Sequence, residues 1–175
     1  WFSRDIQAVM GMTREQMRRY PLEVNKALDQ LQNAGQGRQD LSALFLVRQD
    51  GTIFVGGYNL IRNLNYDFRD EDWFREIPEG FSIRFVPTHK QKALKAADEY
   101  VITIARGLPD EQLKRPIGHV LIDVNLSRFQ SIFQNVKLGR TGHLFVVSQD
   151  GKLIYHPDGR YEDERHEALS MDLSQ

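Results

Sequence analysis

LFVVSQDGKLIYHP, residues 144–157, reads as two apolar strands folded back on each other at Asp150-Gly151. The phrase LFLVRQDGTIFVGG, residues 44–57, has the same plan. Leu44, Phe45, Val47, Gln49, Asp50 and Gly51 recur 100 positions later as Leu144, Phe145, Val147, Gln149, Asp150 and Gly151. Asp-Gly between apolar runs is a hairpin signal, because it tolerates the positive φ angles that tight turns demand. Such hairpins are common in antiparallel sheets, so the repeat takes its meaning from what surrounds each copy.

Upstream of the first copy, Ile6, Val9, Met10, Met17, Tyr20, Val24, Leu28 and Leu31 recur at three- and four-residue steps amid charges, one face of a helix. Pro21 is expected to kink or break that helix. NAGQGRQD, residues 33–40, then supplies Gly35 as a stop and a polar loop. The first hairpin is predicted over Leu41–Arg48 and Thr52–Val55, closed by Gly56-Gly57. DEDWFREI, residues 70–77, predicts a short helix whose acidic first turn suits the helix dipole. FSIRFV (81–86), YVITIA (100–105) and IGHVLIDV (117–124) read as strands, rich in β-branched and aromatic residues. SRFQSIFQNVK, residues 127–137, predicts a helix with Ser127 as N-cap and Phe129, Ile132, Phe133 and Val136 on one face.

A five-strand unit, a linking helix and a fresh copy of the first hairpin describe two tandem sheet modules. The expected fold class is α+β: a long N-terminal helix (1–37), a first antiparallel-sheet module (38–126), a linking helix (127–137) and a second, incomplete module (138–175). The sequence opens on Trp1 rather than Met and is read as a piece of a longer protein.

Composition narrows the function. With 41% apolar, 27% charged and 10% aromatic residues, the chain has what a packed core needs. A net charge of -1 gives no field to recruit nucleic acid or an anionic membrane. Zero cysteines exclude a disulfide framework, a thiolate metal site and a cysteine nucleophile. No run approaches the roughly 20 apolar residues of a bilayer span. His89, His119, His143, His156 and His166 are far apart and form no HExxH pair, and neither GxSxG nor GxxxxGK occurs. No catalytic residue, cofactor or metal ligand is assigned.

The segments YDFRDEDWF (66–74), FVPTHK (85–90), YVITIARGL (100–108), IGHVLIDVN (117–125) and LGRTGHLFVVSQDGKLIYHPD (138–158), in that order after a long helix, resemble the double Cache sensor domains of bacterial membrane receptors. The wording around VPTHK and VITIARGLP is most similar to YesM-like sensor histidine kinases. The resemblance implies a PAS-like, membrane-distal module that binds the signal and a smaller proximal module. It also implies an extracellular or periplasmic location, flanking transmembrane helices and a kinase beyond this segment. Homodimerisation through the N-terminal helix is a further implication, although the sheet could equally consume that helix's apolar face.

In relatives that bind amino acids, an arginine two positions before a tryptophan takes the carboxylate, an aromatic follows, and an aspartate late in the last distal strand takes the amine. Trp73, Phe74 and Asp123 match those places, whereas Glu71 stands where the arginine belongs and would repel a carboxylate. Arg69 lies one turn away as a substitute. Trp73 and Phe74 either line a pocket or simply cover the sheet. Asp123 accepts structural hydrogen bonds, faces solvent by alternation, or awaits a ligand, because an unpaired buried carboxylate is costly. Arg84, His89, Tyr100 and Thr103 complete the candidate ligand-binding set. Alternation puts Tyr100 and Thr103 on opposite faces, so only one of them is expected to touch ligand. Arg106 reads as a solvated charge, His89 as a loop histidine, and His156 and Asp158 as caps at a proline turn. The expected partner is a small solute (sugar, carboxylate or amino acid). The alternative is a ligand-loaded solute-binding protein docked on the domain.

Overall fold

The computed structural model describes residues 3–36, 38, 41–57, 59–78, 80, 82–95, 97–109, 116–133, 136, 142, 144–148, 151 and 153–157. Of the residues named above, Trp1, His143, Gln149, Asp150, Asp158 and His166 lie outside these, as does most of the proposed second module beyond its hairpin.

The N-terminal segment is three helices: α1 (Arg4–Gly11), α2 (Arg14–Arg19) and α3 (Pro21–Gly35). Pro21 opens α3 at a position whose N–H needs no intrahelical partner, which makes it a start signal. The other break, at Met12, was legible in TREQ. Thr13 Oγ1 accepts from the Gln16 N–H at 3.1 Å, and Gln16 Oε1 accepts from the Thr13 N–H at 2.7 Å. That reciprocal capping box starts a new helix.

Five strands form one antiparallel sheet: β1 (Leu41–Arg48), β2 (Ile53–Gly56), β3 (Arg84–Lys90), β4 (Tyr100–Pro109) and β5 (Pro116–Asn125), in the spatial order β2-β1-β5-β4-β3. Between β2 and β3 lie a 3-10 turn (Phe68–Asp70) and α4 (Asp72–Arg75). The chain continues into α5 (Leu126–Phe133) and a two-stranded sheet of β6 (Val146–Val147) and β7 (Leu153–Tyr155). The structure is therefore a mixture of helix and antiparallel sheet, as expected.

The two hairpins share a closing hydrogen bond and a left-handed glycine. The carbonyl of Arg48 accepts from the Gly51 N–H at 3.0 Å, and that of Ser148 accepts from the Gly151 N–H at 2.9 Å. Gly51 has φ 80° and Gly151 φ 79°. Asp50 keeps a negative φ and uses its carboxylate to accept the Thr52 N–H at 3.0 Å. In the first hairpin a turn followed by one left-handed glycine makes the three-residue loop, so the positive φ falls on the glycine and the aspartate acts through its side chain.

Both faces of the sheet are covered. On one, Ala43, Phe45, Val47, Ala105 and Leu121 pack against Phe68, Phe74 and Ile77 from the β2–β3 connection. On the other, Leu44, Leu46 and Val120 pack against Ile6, Val9 and Met10 of α1 and Ala27 and Leu31 of α3. Phe45 and Leu121 are fully buried, each worth roughly 1.5–3 kcal/mol of transfer free energy. A third cluster joins Ile102 and Leu126 to Ile154 and Tyr155 of β7.

Two details differ from expectation. β3 begins later than predicted and runs on through Pro87 to Lys90, with a register shift between Val86 and His89. An edge strand tolerates proline at such an irregularity, since no ladder bond is lost. His89 is thus a half-buried strand residue rather than a loop histidine. In addition, α5 starts at Leu126, and it is Asn125, not Ser127, that caps it: Asn125 Oδ1 accepts the Ser127 N–H at 2.9 Å.

Candidate functional site

The β2–β3 connection brings a cluster of polar and aromatic side chains onto one face of the sheet. Asp67 accepts the Arg69 N–H at 2.9 Å and so caps the 3-10 turn. That turn lays Phe68 against Phe45, and the segment brings Trp73 to His89 of β3, Phe74 to His119 of β5 and Glu71 to Lys92. Phe68 contacts Tyr66, Trp73 and Phe74 in turn, with ring centroids 5.1 to 6.0 Å apart. Phe74 is buried in the core and also meets His119 at 4.8 Å. Trp73 is only partly buried, with its ring 5.4 Å from that of His89.

Asp123 stands at the floor. It is 1% exposed and pairs in register with Thr103 across β4 and β5. Thr103 Oγ1 donates to Asp123 Oδ1 at 2.5 Å, and the Gln91 amide donates to Asp123 Oδ2. Gln91 is itself fixed by the Ala93 N–H, which donates to its Oε1 at 2.6 Å. Burial pushes the Asp123 carboxyl up to about 7, although both hydrogen bonds act against it. Of the three options left open for Asp123, the structure shows structural hydrogen bonds and excludes solvent exposure.

The surrounding groups are mostly neutral. His89 Nδ1 lies 2.9 Å from the Pro87 carbonyl oxygen, which can only accept, so Nδ1 carries the proton. Burial holds the imidazole below its ordinary pKa and keeps it uncharged, with Nε2 3.4 Å from Thr103 Oγ1. The Tyr66 phenol is raised far above its usual range, first by burial and then by the charge of Glu71, to which it is hydrogen-bonded. Glu71 Oε1 also faces Lys92 Nζ at 3.4 Å.

The structure thus brings together Trp73, His89, Thr103 and Asp123 of the candidate set, with Phe74 forming the wall behind them. It places the others elsewhere. Arg69 forks onto Asp67, with Nε 3.0 Å from each carboxylate oxygen, and its guanidinium lies against Gly51 of the first hairpin turn. Arg84 pairs with Glu76, just after α4. Tyr100 packs with the Ile102 cluster on the opposite face, as alternation required. On that face a cleft of about 710 Å³ opens between the sheet and the second hairpin, lined by Ile83, Arg84, Phe85, Ile102, Phe129 and Ile154 among others. His156 is buried and stacks on Phe145.

Sequence reasoning did not single out Tyr66, Gln91 or Lys92. Tyr66 was visible only as part of a family phrase. Gln91 lies just past β3 and carries no motif, so nothing short of the tertiary fold aims it at Asp123. Among the described residues, no three His, Cys, Asp or Glu are placed to hold a metal ion, and no helix is long and apolar enough to cross a membrane.

Comparison with known proteins gives a consistent picture. A family model described as a Cache domain matches residues 2–170. The chain is 31% identical over 94 residues to the methyl-accepting chemotaxis protein PctB of Pseudomonas aeruginosa, an alignment covering 54% of this chain and 14% of that protein. The solved ligand-binding domain of PctB in complex with L-Arg is similar over 91% of this chain and 62% of its own, at 22% identity and a TM-score of 0.60. That of the Pseudomonas fluorescens chemoreceptor CtaA in complex with L-alanine covers 90% and 61%, at 18% identity and a TM-score of 0.59. That of the Campylobacter jejuni chemoreceptor Tlp3 in complex with 4-methylisoleucine covers 86% and 57%, at 14% identity and a TM-score of 0.57. At these identities the three solved structures share the fold, and this chain spans less than two thirds of each.

Proposed function

Because the chain belongs to the Cache domain family, we propose that it is the extracellular sensor domain of a transmembrane receptor and takes a small solute at the Trp73–Asp123 cluster. One observation carries the reading. A fully buried carboxylate, held among the described residues by the neutral donors Thr103 and Gln91, lies beneath an aromatic wall of Tyr66, Trp73 and His89 supplied mainly by one connecting segment. Convergent polar groups in an apolar surround are what fix a small ligand's orientation. Asp123 is covered, so a solute enters by displacing side chains over it, and the β2–β3 connection is the segment free of the sheet's own ladder.

The solved relatives hold single amino acids in their ligand-binding domains, which supports a solute of that size here. The two-module reading, with residues 38–126 as the membrane-distal module and 138–175 as part of the proximal one, is part of the same proposal. So is the downstream output: the VPTHK and VITIARGLP wording favours a histidine kinase, whereas the curated relative favours a methyl-accepting segment. The reading frame of the full protein decides between the two.

Isothermal titration with sugars, carboxylates, amino acids and amines tests the site. Trp73→Ala is expected to abolish the heat of whichever solute binds, with the circular dichroism spectrum unchanged. Undiminished binding by a folded Trp73→Ala variant would sink the assignment of this face.

A further inference from the structure

We propose that the first hairpin turn, α4 and the start of β5 form a second binding site, separate from the Trp73–Asp123 cluster, for a small oxyanion, carboxylate or phosphate. The inference goes beyond the sensor reading and does not depend on it. A cavity of about 320 Å³ opens there, lined by Gln49, Arg69, Arg75 and His119 over the buried Phe74 and Ile77. That volume is at the lower end of the roughly 300–1,000 Å³ of small-solute sites, which suits a small anion. His119 and Asp123 lie on one face of β5 with the fully buried Leu121 between them, about 13 Å apart along the strand. Phe74 touches both groups of residues, its ring centroid 6.0 Å from that of Trp73 and 4.8 Å from that of His119.

The charged lining consists of donors. Arg69 turns one edge of its guanidinium to Asp67, with Nε 3.0 Å from each carboxylate oxygen. The hairpin turn bounds that edge: a Cβ on Gly51 would lie 2.3 Å from Nη2 and 2.9 Å from Nε, so the glycine makes room for the fork. No described residue accepts from Arg69 Nη1. Arg75 is held by an exposed ion pair, Nη1 donating to Asp72 Oδ1 at 2.7 Å, with the Asp70 carbonyl oxygen 3.5 Å from Nη2. Among the described residues no carboxylate lines the cavity, and a guanidinium cannot accept, so an occupant that satisfies these groups brings acceptors. Asp50, Asp67, Asp70 and Asp72 lie near the two arginines and balance their charge. Selection therefore rests on directed N–H groups, and the planar fork matches the paired oxygens of a carboxylate or phosphate. Phe74 and Ile77 back the site with an apolar wall, which strengthens each bond by lowering the local dielectric.

The test titrates the chain with succinate, with inorganic phosphate and with the uncharged succinamide, followed by heteronuclear NMR spectra that report affinity and location together. Saturable shifts are expected at Gln49, Arg69, Arg75 and His119 with at least one of the two anions and not with succinamide; the tighter anion tells a carboxylate site from a phosphate site. Arg75→Gln weakens that binding by about tenfold, the loss of one charge-assisted donor. Asp72→Asn releases Arg75 from its exposed partner and tightens binding by about two- to fivefold. The opposite signs separate binding from a structural role, because removing either half of a merely structural ion pair acts in the same direction. If Arg75→Gln fails to fold, Gln49→Ala carries the test with a smaller loss. Trp73→Ala leaves the affinity unchanged. Absence of saturable shifts with both anions, equal binding of succinamide, or changes of the same sign in Arg75→Gln and Asp72→Asn overturns the proposal. Anion binding abolished by a folded Trp73→Ala variant overturns it as well, while the sensor reading stands.

Discussion

Asp123 concentrates the chemistry of this domain in one side chain. A carboxyl raised by burial from an ordinary 3.8 to about 7 binds a proton in the folded chain that the unfolded chain has already lost between those values. Native protonation in that window means stability that is fully present below about pH 4 and is lost as pH rises through about 7. Asp123→Asn keeps the shape and removes the charge. The ligand-free variant is therefore expected to exceed the wild type in thermal stability at pH 8 and to lose that advantage at pH 4, a difference on the order of a few kcal/mol. Melting curves of both proteins across pH 4–8 check it, and parallel curves would contradict the burial argument. On this argument the buried carboxylate is expected to lower the stability of the domain above about pH 7.

Among the elements, the docking of α3 on β2 shows how a single missing side chain sets a distance. A Cβ on Gly56 would lie 2.6 Å from the Leu31 carbonyl oxygen and 2.7 Å from Leu31 Cγ, closer than packed atoms allow. Since the first of these is backbone, the helix itself has to move. Gly56→Ala is expected to cost about 1–3 kcal/mol in urea unfolding. Gly11→Ala is the control: nothing lies within 4 Å of its Cβ position, and a helix-terminal alanine is neutral or stabilising by up to about 1 kcal/mol. Equal effects at the two sites would show that backbone propensity, and not the α3–β2 contact, governs Gly56. The three-helix N-terminus obeys the same local logic. Its breaks fall where Pro21 and the Thr13–Gln16 box specify new starts, and the apolar stripe of α1 and α3 is taken up by the sheet.

On the scale of the whole molecule, the described residues join the second hairpin to the first sheet through a hydrogen bond and an apolar cluster. Thr88 Oγ1 donates to the Ile154 carbonyl at 2.5 Å, and Ile154 and Tyr155 share an apolar cluster with Ile102 and Leu126. Thr88 is on edge strand β3, next to the bulge that also sets the position of His89. A movement at His89 therefore reaches the second hairpin through one peptide unit and one hydrogen bond. Thr88→Val removes the hydrogen bond and keeps the volume. Hydrogen exchange is expected to speed up at Val146–Val147 and Leu153–Tyr155 while β1 and β5 stay protected. Unchanged exchange in the hairpin would mean that the apolar cluster alone holds it.

Much of this was legible in the chain. Asp-Gly phrases fixed both hairpins because φ preference is local, and strand runs and the helical stripe announced themselves by periodicities of 2 and 3.6. Alternation alone separated Tyr100 from Thr103. Family wording pointed to Trp73 and Asp123, and Glu71 was already conspicuous in place of an arginine. The sequence could not say that β3 continues past Pro87, that Arg69 turns away to Asp67, or that Gln91 reaches Asp123 across 32 positions. Those outcomes depend on which strand becomes an edge and which side chains the sheet brings within hydrogen-bond reach. Turn chemistry and periodicity are properties of neighbours along the chain; the burial that charges Asp123 with its role is a property of neighbours in space.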